Sequence, residues 1–170
     1  MSDTSPQNRA RESHMLIVNG QSYAFDDASQ ANLLDLLRNR LGLMASRFGC
    51  GEGLCGACRV LVDGQPMPAC DTPLWSIAGR AVTTVEGLGT SAQPHPLQTA
   101  LIAEQAMQCG YCISGIIVIP AAFLQKNADP DEAEVRAALD DNLCRCGAHN
   151  RIVRAVMRAA AAIRSANEMP

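Results

Sequence analysis

The 170-residue sequence predicts an α+β protein, a small sheet-plus-helix domain followed by an all-α, four-helix-bundle-like domain. Three observations predict it. Asn19-Gly20 and Asp63-Gly64 each separate two short strand-like runs, a strong hairpin signal. Beyond residue 96 the apolar residues recur at helical spacing. Between these halves, residues 86–96 turn to Gly, Ser, Thr, Gln and Pro, the composition of a linker. The expected division is a loose polar arm over 1–14, a sheet domain over 15–85, the linker over 86–96 and a helical domain over 97–170.

Each element follows in order. Leu16-Ile17-Val18 and Gln21–Phe25 flank the first turn and read as paired strands. Within 30–41, Leu33, Leu34, Leu37 and Leu41 form the stripe of a helix lying on a sheet. Arg59–Val62 reads as a strand entering the second hairpin, and Ala81–Val85 as a further strand. Pro96 suits the first position of a helix, with Ala100, Ala103 and Met107 repeating toward Cys109. A second helix starts near Cys112 and is apolar on nearly all sides, which means buried, with Pro120 expected to kink or shorten it. Asp129 as N-cap, Pro130 and Glu132 open a third. The last begins near Asn150, with Ile152, Val156, Ala159 and Ile163 on one face.

Composition narrows the function. Fourteen Lys plus Arg against seventeen Asp plus Glu leave a net charge of −3 with no basic run, which argues against nucleic acid. The most apolar stretch, 113–124, is interrupted by Ser114, Gly115 and Pro120 and falls short of the roughly 20 residues that span a bilayer. No membrane insertion is expected. No apolar segment precedes Met15, and Arg9 and Arg11 are not adjacent, so the expected location is cytoplasmic. The eight cysteines are a smaller share than the roughly 8–10% of a disulfide scaffold. They are better explained as thiols kept for chemistry.

The cysteines form two sets of four. Cys50, Cys55, Cys58 and Cys70 read C-x4-C-x2-C-x11-C, and Cys109, Cys112, Cys144 and Cys146 read C-x2-C-x31-C-x-C. Each set supplies the soft donors of one tetrathiolate centre. Four glycines interleave the first three thiols, and the spacing is that of plant-type 2Fe-2S ferredoxins. Glycine permits the positive φ with which a loop wraps a compact cluster, and leaves N–H groups free to approach sulfur. A zinc knuckle would pair C-x2-C with another such pair or with histidines and would not need the glycines. In the second set, Cys109–Cys112 and Cys144–Cys146 fall at helix junctions, so one cluster would pin two helix pairs. A helix N-terminus at Cys112 favours an anionic cluster. A thioredoxin-like dithiol would leave Cys144 and Cys146 unexplained, and the three histidines lack the spacing of Rieske ligation.

Cys50–Cys58, His95-Pro96-Leu97-Gln98, Gln108–Cys112 and Asn142–Cys146 together resemble the iron–sulfur subunits of the molybdenum hydroxylases, the family of xanthine dehydrogenase. Cys146-Gly147-Ala148-His149, where many members continue C-T-G-Y, is closer to the flavin-free isoquinoline oxidoreductase and nicotinate dehydrogenase branch. The resemblance implies a ferredoxin-like β-grasp domain and a helical domain, each with one 2Fe-2S cluster. Cys50, Cys55, Cys58 and Cys70 would hold the outer one, and Cys109, Cys112, Cys144 and Cys146 the one nearer the molybdenum. It also implies that Gln108 touches a molybdopterin, of cytosine dinucleotide type, bound by a large partner subunit.

No residue of this chain is given a catalytic role. The expected function is to carry electrons from that partner, acting on an N-heterocycle such as nicotinate or on an aldehyde, to a cytochrome c or a flavin subunit. The alternative is a free-standing two-cluster ferredoxin. Arg145 either raises the second cluster's potential or meets the partner; His149 either caps the last helix or faces the cluster or partner. Arg151, Arg154 and Arg158 form a basic face, either solvated or docked to the partner.

Overall fold

The computed structural model describes residues 13–26 and 31–168. The polar arm expected over 1–14 lies outside these residues except at its end. Ser13 and His14 already belong to the first strand, because their backbones pair with Asp26 and Phe25. The elements that follow are β1 (Ser13–Val18), β2 (Gln21–Asp26), α1 (Leu33–Asp35), β3 (Arg59–Val62), β4 (Gln65–Pro68) and β5 (Ala81–Thr83). Then come α2 (Val85–Leu88), α3 (Pro96–Ala103), α4 (Ile113–Lys126), α5 (Glu132–Ala138) and α6 (His149–Glu168).

The sheet is mixed, in the order β2-β1-β5-β3-β4. Both hairpins turn where expected, with Asn19, Gly20, Asp63 and Gly64 all at positive φ, as tight primed turns require. Short β5 joins them, parallel to β1 and antiparallel to β3. It stops at Thr83, two residues short of the expectation, because Val85 enters α2 and the helical core.

The helix expected over 30–41 is regular for only one turn. Asn32 caps it by accepting from Asp35 N (2.9 Å), and the backbone then widens over Leu36–Arg40, with Leu41 N donating to Leu36 O. The wider turn buries Leu36 beside Leu33, Leu34 and Leu37, and leaves Leu41 partly covered. Gln30 lies outside the described residues.

Strand β3 places the two halves. Val60 and Val62 face α1, while Leu61 between them belongs to the core of the helices. Alternation along a strand sends neighbours to opposite faces. The sheet is therefore covered on both sides, by α1 and by α4, and the halves share a wall.

The helices correct several expectations. The segment read as a linker, 86–96, carries most of α2, and Glu86 accepts from Ala45 N (2.9 Å) and Thr84 Oγ1 (2.6 Å). His95 caps α3 with Gln98 answering in a capping box. Helix α3 ends at Ala103 rather than near Cys109, since Gln105 adopts φ +48, and Met107 lies exposed in the following loop. Helix α4 is continuous for fourteen residues through Pro120. Helix α5 starts two residues later than expected: Asp131, not Asp129, is the cap, and the reciprocal partner is Glu134. Helix α6 begins at His149 and buries Ile152, Val156 and Ala159.

Candidate metal centres

The first cysteine set sits on the loop before β3, with its fourth member in a single turn, Ala69–Asp71, after β4. Gly51, Gly53 and Gly56 all have positive φ, so the loop coils back on itself. Coiling aims backbone N–H groups at sulfur. Cys50 Sγ accepts from Glu52 N (3.4 Å) and Leu54 N (3.3 Å), Cys55 Sγ from Cys50 N (3.4 Å), and Cys58 Sγ from Cys70 N (3.5 Å). Within the loop the donors are Cys50, Glu52 and Leu54, which stand between the glycines, rather than the glycines themselves.

These contacts sort the four thiols into two pairs, Cys50 with Cys55 and Cys58 with Cys70. Cys50 is exposed, and the Glu52 N–H, aided by its neighbours, lowers its thiol to about 6. Cys58 is buried, and burial pushes its thiol up to about 12. Cys50 is ready to ionise; Cys58 needs a thiophilic cation beside it to do so.

The second set is built differently and arrives at the same plan. Cys112 is the N-cap of α4, and Cys144 and Cys146 lie in the turn that precedes α6. Cys109 contacts Cys146, and Cys112 contacts Cys144. The Tyr111 N–H, then Cys146, lower the exposed Cys109 thiol, whereas burial, then the Cys144 charge, pushes Cys112 up to about 12. Cys109 is the exposed member of this set, and Cys112, Cys144 and Cys146 are half-buried.

Two pairs per set suit a binuclear centre, in which each of two irons takes two thiolates. A tetrahedral zinc instead needs four donors around one point. The donor chemistry and its pairing therefore fit a 2Fe-2S cluster in each set.

Both sets line one cleft of about 420 Å³, reached by Cys50, Cys55, Cys109, Cys112 and Cys144, with Arg145 and His149 beside them. Its walls are locked together. Leu143 N donates to Cys55 O (3.1 Å), Ser114 Oγ to Ala57 O (2.9 Å), and Tyr111 Oη to Phe48 O (2.5 Å), with the Arg47 guanidinium over the Tyr111 ring. Below this contact, Gly56, Gly115 and the buried Asn142 touch so closely that neither glycine has room for a Cβ. Gly115 lies inside a helix, where glycine costs about 1 kcal/mol relative to alanine. Both amide atoms of Asn142 lack a hydrogen-bond partner among the described residues.

The remaining sequence candidates are also placed. Gln108 is exposed on the loop after α3, beside Cys109 and the second set. His149, half-buried, is the first residue of α6 and faces the cleft. Arg145 is exposed on the same cleft. The basic face of α6 is internally engaged. Arg154 and Arg158 pair with Glu104 (3.3 and 3.1 Å), and Arg151 donates to Gln105 O (3.3 Å), so the face ties α6 to the end of α3. Glu104 was not singled out by the sequence, Ser114 and Gly115 were noted only as breaks in an apolar run, and Asn142 only as the first residue of a motif.

A sheet domain and a helical domain, each presenting paired thiols to a shared cleft, define a two-centre iron–sulfur protein. Comparison with known proteins agrees. The family described as 2Fe-2S iron-sulfur cluster binding domain matches residues 16–80, and the [2Fe-2S] binding domain family matches 84–157. One of the nicotinate dehydrogenase subunits of Pseudomonas putida is 49% identical over 145 residues, covering 85% of this chain and 92% of the relative. The alpha subunit of isoquinoline 1-oxidoreductase from Brevundimonas diminuta is 48% identical, covering 85% and 95%. A crystallised chain of quinoline 2-oxidoreductase from Pseudomonas putida 86 superposes with a TM-score of 0.85 at 33% identity, covering 91% of this chain and 97% of the other. The chain belongs to the iron–sulfur subunits of the molybdenum hydroxylases, and is the iron–sulfur subunit of an oxidoreductase complex. Among the described residues, no helix is long and apolar enough to cross a membrane.

Proposed function

We propose that Cys50, Cys55, Cys58 and Cys70 hold one 2Fe-2S cluster, that Cys109, Cys112, Cys144 and Cys146 hold the other, and that the chain conducts electrons from a molybdenum centre on a large partner chain to an external acceptor. In this reading 15–85 and 97–170 are the two cluster-binding domains and 86–96 connects them. The observation that carries it is the convergence of both cysteine sets on one cleft, with backbone N–H groups of the first loop aimed at sulfur.

Each cluster, when bound, accepts and releases one electron at a time. The chain's own residues set where this happens. Backbone N–H groups of Glu52 and Leu54 neutralise charge on the Cys50 sulfur, which favours the reduced state of the first cluster. Gln108, exposed next to Cys109, is positioned to meet the molybdopterin, of cytosine dinucleotide type, from the partner side. Hydroxylation of a carbon with water as the oxygen source leaves two protons and two electrons, and the two centres in series pass those electrons singly. The names of the relatives support an N-heterocycle such as nicotinate as the partner's substrate over an aldehyde. A cytochrome c or a separate flavin subunit is the acceptor in this reading, and eight free thiols suit the reducing cytoplasm.

The test is anaerobic purification of the native complex followed by metal analysis and electron paramagnetic resonance. About four irons per chain, two distinct signals on reduction and a copurifying molybdenum-containing chain are expected. Stoichiometric zinc in a colourless protein would overturn the cluster assignment. Four irons with no large partner would leave a free-standing ferredoxin.

A further inference from the structure

The junction between the two cysteine sets has a geometry that cluster binding alone does not require. Gly115 occupies the third position of α4, and a Cβ there would collide with the Gly56 carbonyl and with Asn142 Oδ1. A Cβ on Gly56 would collide with the same amide oxygen and with Asp141 O. The obstacle at Gly115 includes rigid backbone, which no rotamer change removes. Two glycines thus let the first cysteine loop lie directly on the first turn of α4. That approach is what brings Leu143 N within 3.1 Å of Cys55 O. Cys55 belongs to the first set, and Leu143 is covalently joined to Cys144 of the second. A backbone hydrogen bond therefore links Cys55 of the first set to the residue that precedes Cys144 of the second, and the Ser114–Ala57 and Tyr111–Phe48 bonds brace it on either side.

We propose, resting on the cluster assignment above, that Gly56 and Gly115 are positioning residues that set the separation of the two clusters, and that electrons cross between them at the contact from Leu143 N–H to Cys55 C=O. The step is a one-electron exchange. The cluster at Cys109, Cys112, Cys144 and Cys146 is oxidised by one electron, the cluster at Cys50, Cys55, Cys58 and Cys70 is reduced by one, and no proton or covalent bond changes hands. Asn142, buried and without a side-chain hydrogen-bond partner among the described residues, lies against both glycines beneath the contact.

The test uses the intact complex carrying Gly115→Ala. With both clusters reduced, the magnetic splitting between their signals reports their separation. Rapid freeze-quench after substoichiometric dithionite reports how fast the electron equilibrates between them. Full iron content, unchanged individual signals, a narrowed splitting and exchange slower by roughly tenfold or more are expected. Wild-type splitting and rate in a variant with full iron would overturn the inference. Where Gly115→Ala does not assemble, Ser114→Ala decides, since it removes a brace without adding an atom. A smaller change in the same direction supports the inference, and wild-type splitting and rate overturn it. A wild-type complex lacking two iron–sulfur signals would instead overturn the cluster assignment itself.

Discussion

The first cysteine set is made by a loop and the second by a helical core, yet each sets one exposed, easily ionised thiol, Cys50 or Cys109, against one whose pKa burial raises, Cys58 or Cys112. Three of the first four thiols lie within nine residues, and coiling of that one glycine-rich loop brings them together. The second four span two helix junctions separated by α4 and α5, and meet only once α4, α5 and α6 have packed. The difference teaches where each site is vulnerable. Local backbone conformation governs the first, and burial of apolar side chains tens of residues away governs the second.

The largest expected effect breaks the series. Cys109→Ala should abolish the second-set signal in electron paramagnetic resonance and electron flow to an artificial acceptor, while the first-set signal survives. Turnover at the wild-type rate with that signal absent would rule out passage through two centres in order.

Core substitutions sharpen the contrast in assembly. Leu97 in the helical core and Leu37 under the sheet are both fully buried, and each truncation to alanine should cost about 2–5 kcal/mol. Leu97→Ala should lose the second-set cluster first on heating, and Leu37→Ala the first-set cluster, as followed by visible circular dichroism. If both signals vanish together in both variants, the wall shared at β3 makes the halves a single cooperative unit.

The smallest effect concerns the start of α3, which leads into the second set. His95 Nδ1 accepts from Leu97 N (3.2 Å), which only the neutral imidazole can do, and burial holds the group below its ordinary value. Its folded pKa is thus lower than its unfolded one. The contribution is complete above about pH 6.5, the unfolded value, and is lost as pH falls through the lower folded value. His95→Ala should cost about 1 kcal/mol near neutrality, and the gap to wild type in urea midpoint should shrink as the solution is acidified. A gap that does not change with pH would mean that the ring acts only by packing.

Much of this was legible because it was local. Two hairpin turns, the α1 stripe and the separate quartets of cysteines follow from residues within a few positions of one another. The errors fell where one local signal outweighed another of the same kind. Asp129-Pro130 resembled a helix start, but Asp131 with Glu134 forms the reciprocal pair. Met107 kept the helical spacing of Ala100 and Ala103, but Gln105 had already broken the chain direction. The arginine face of α6 was visible, whereas its partner Glu104 lies about fifty residues away and no spacing rule reaches it.

The sequence by itself determined two sets of four cysteines, their order along the chain, and a sheet followed by helices. Periodicity and spacing are properties of neighbours. Only the tertiary structure decided which thiols pair, that β3 is buried on both faces, and that two glycines and Asn142 press the cysteine loops together. Those outcomes depend on close packing between segments remote in sequence, where a single missing Cβ changes how near two backbones can come.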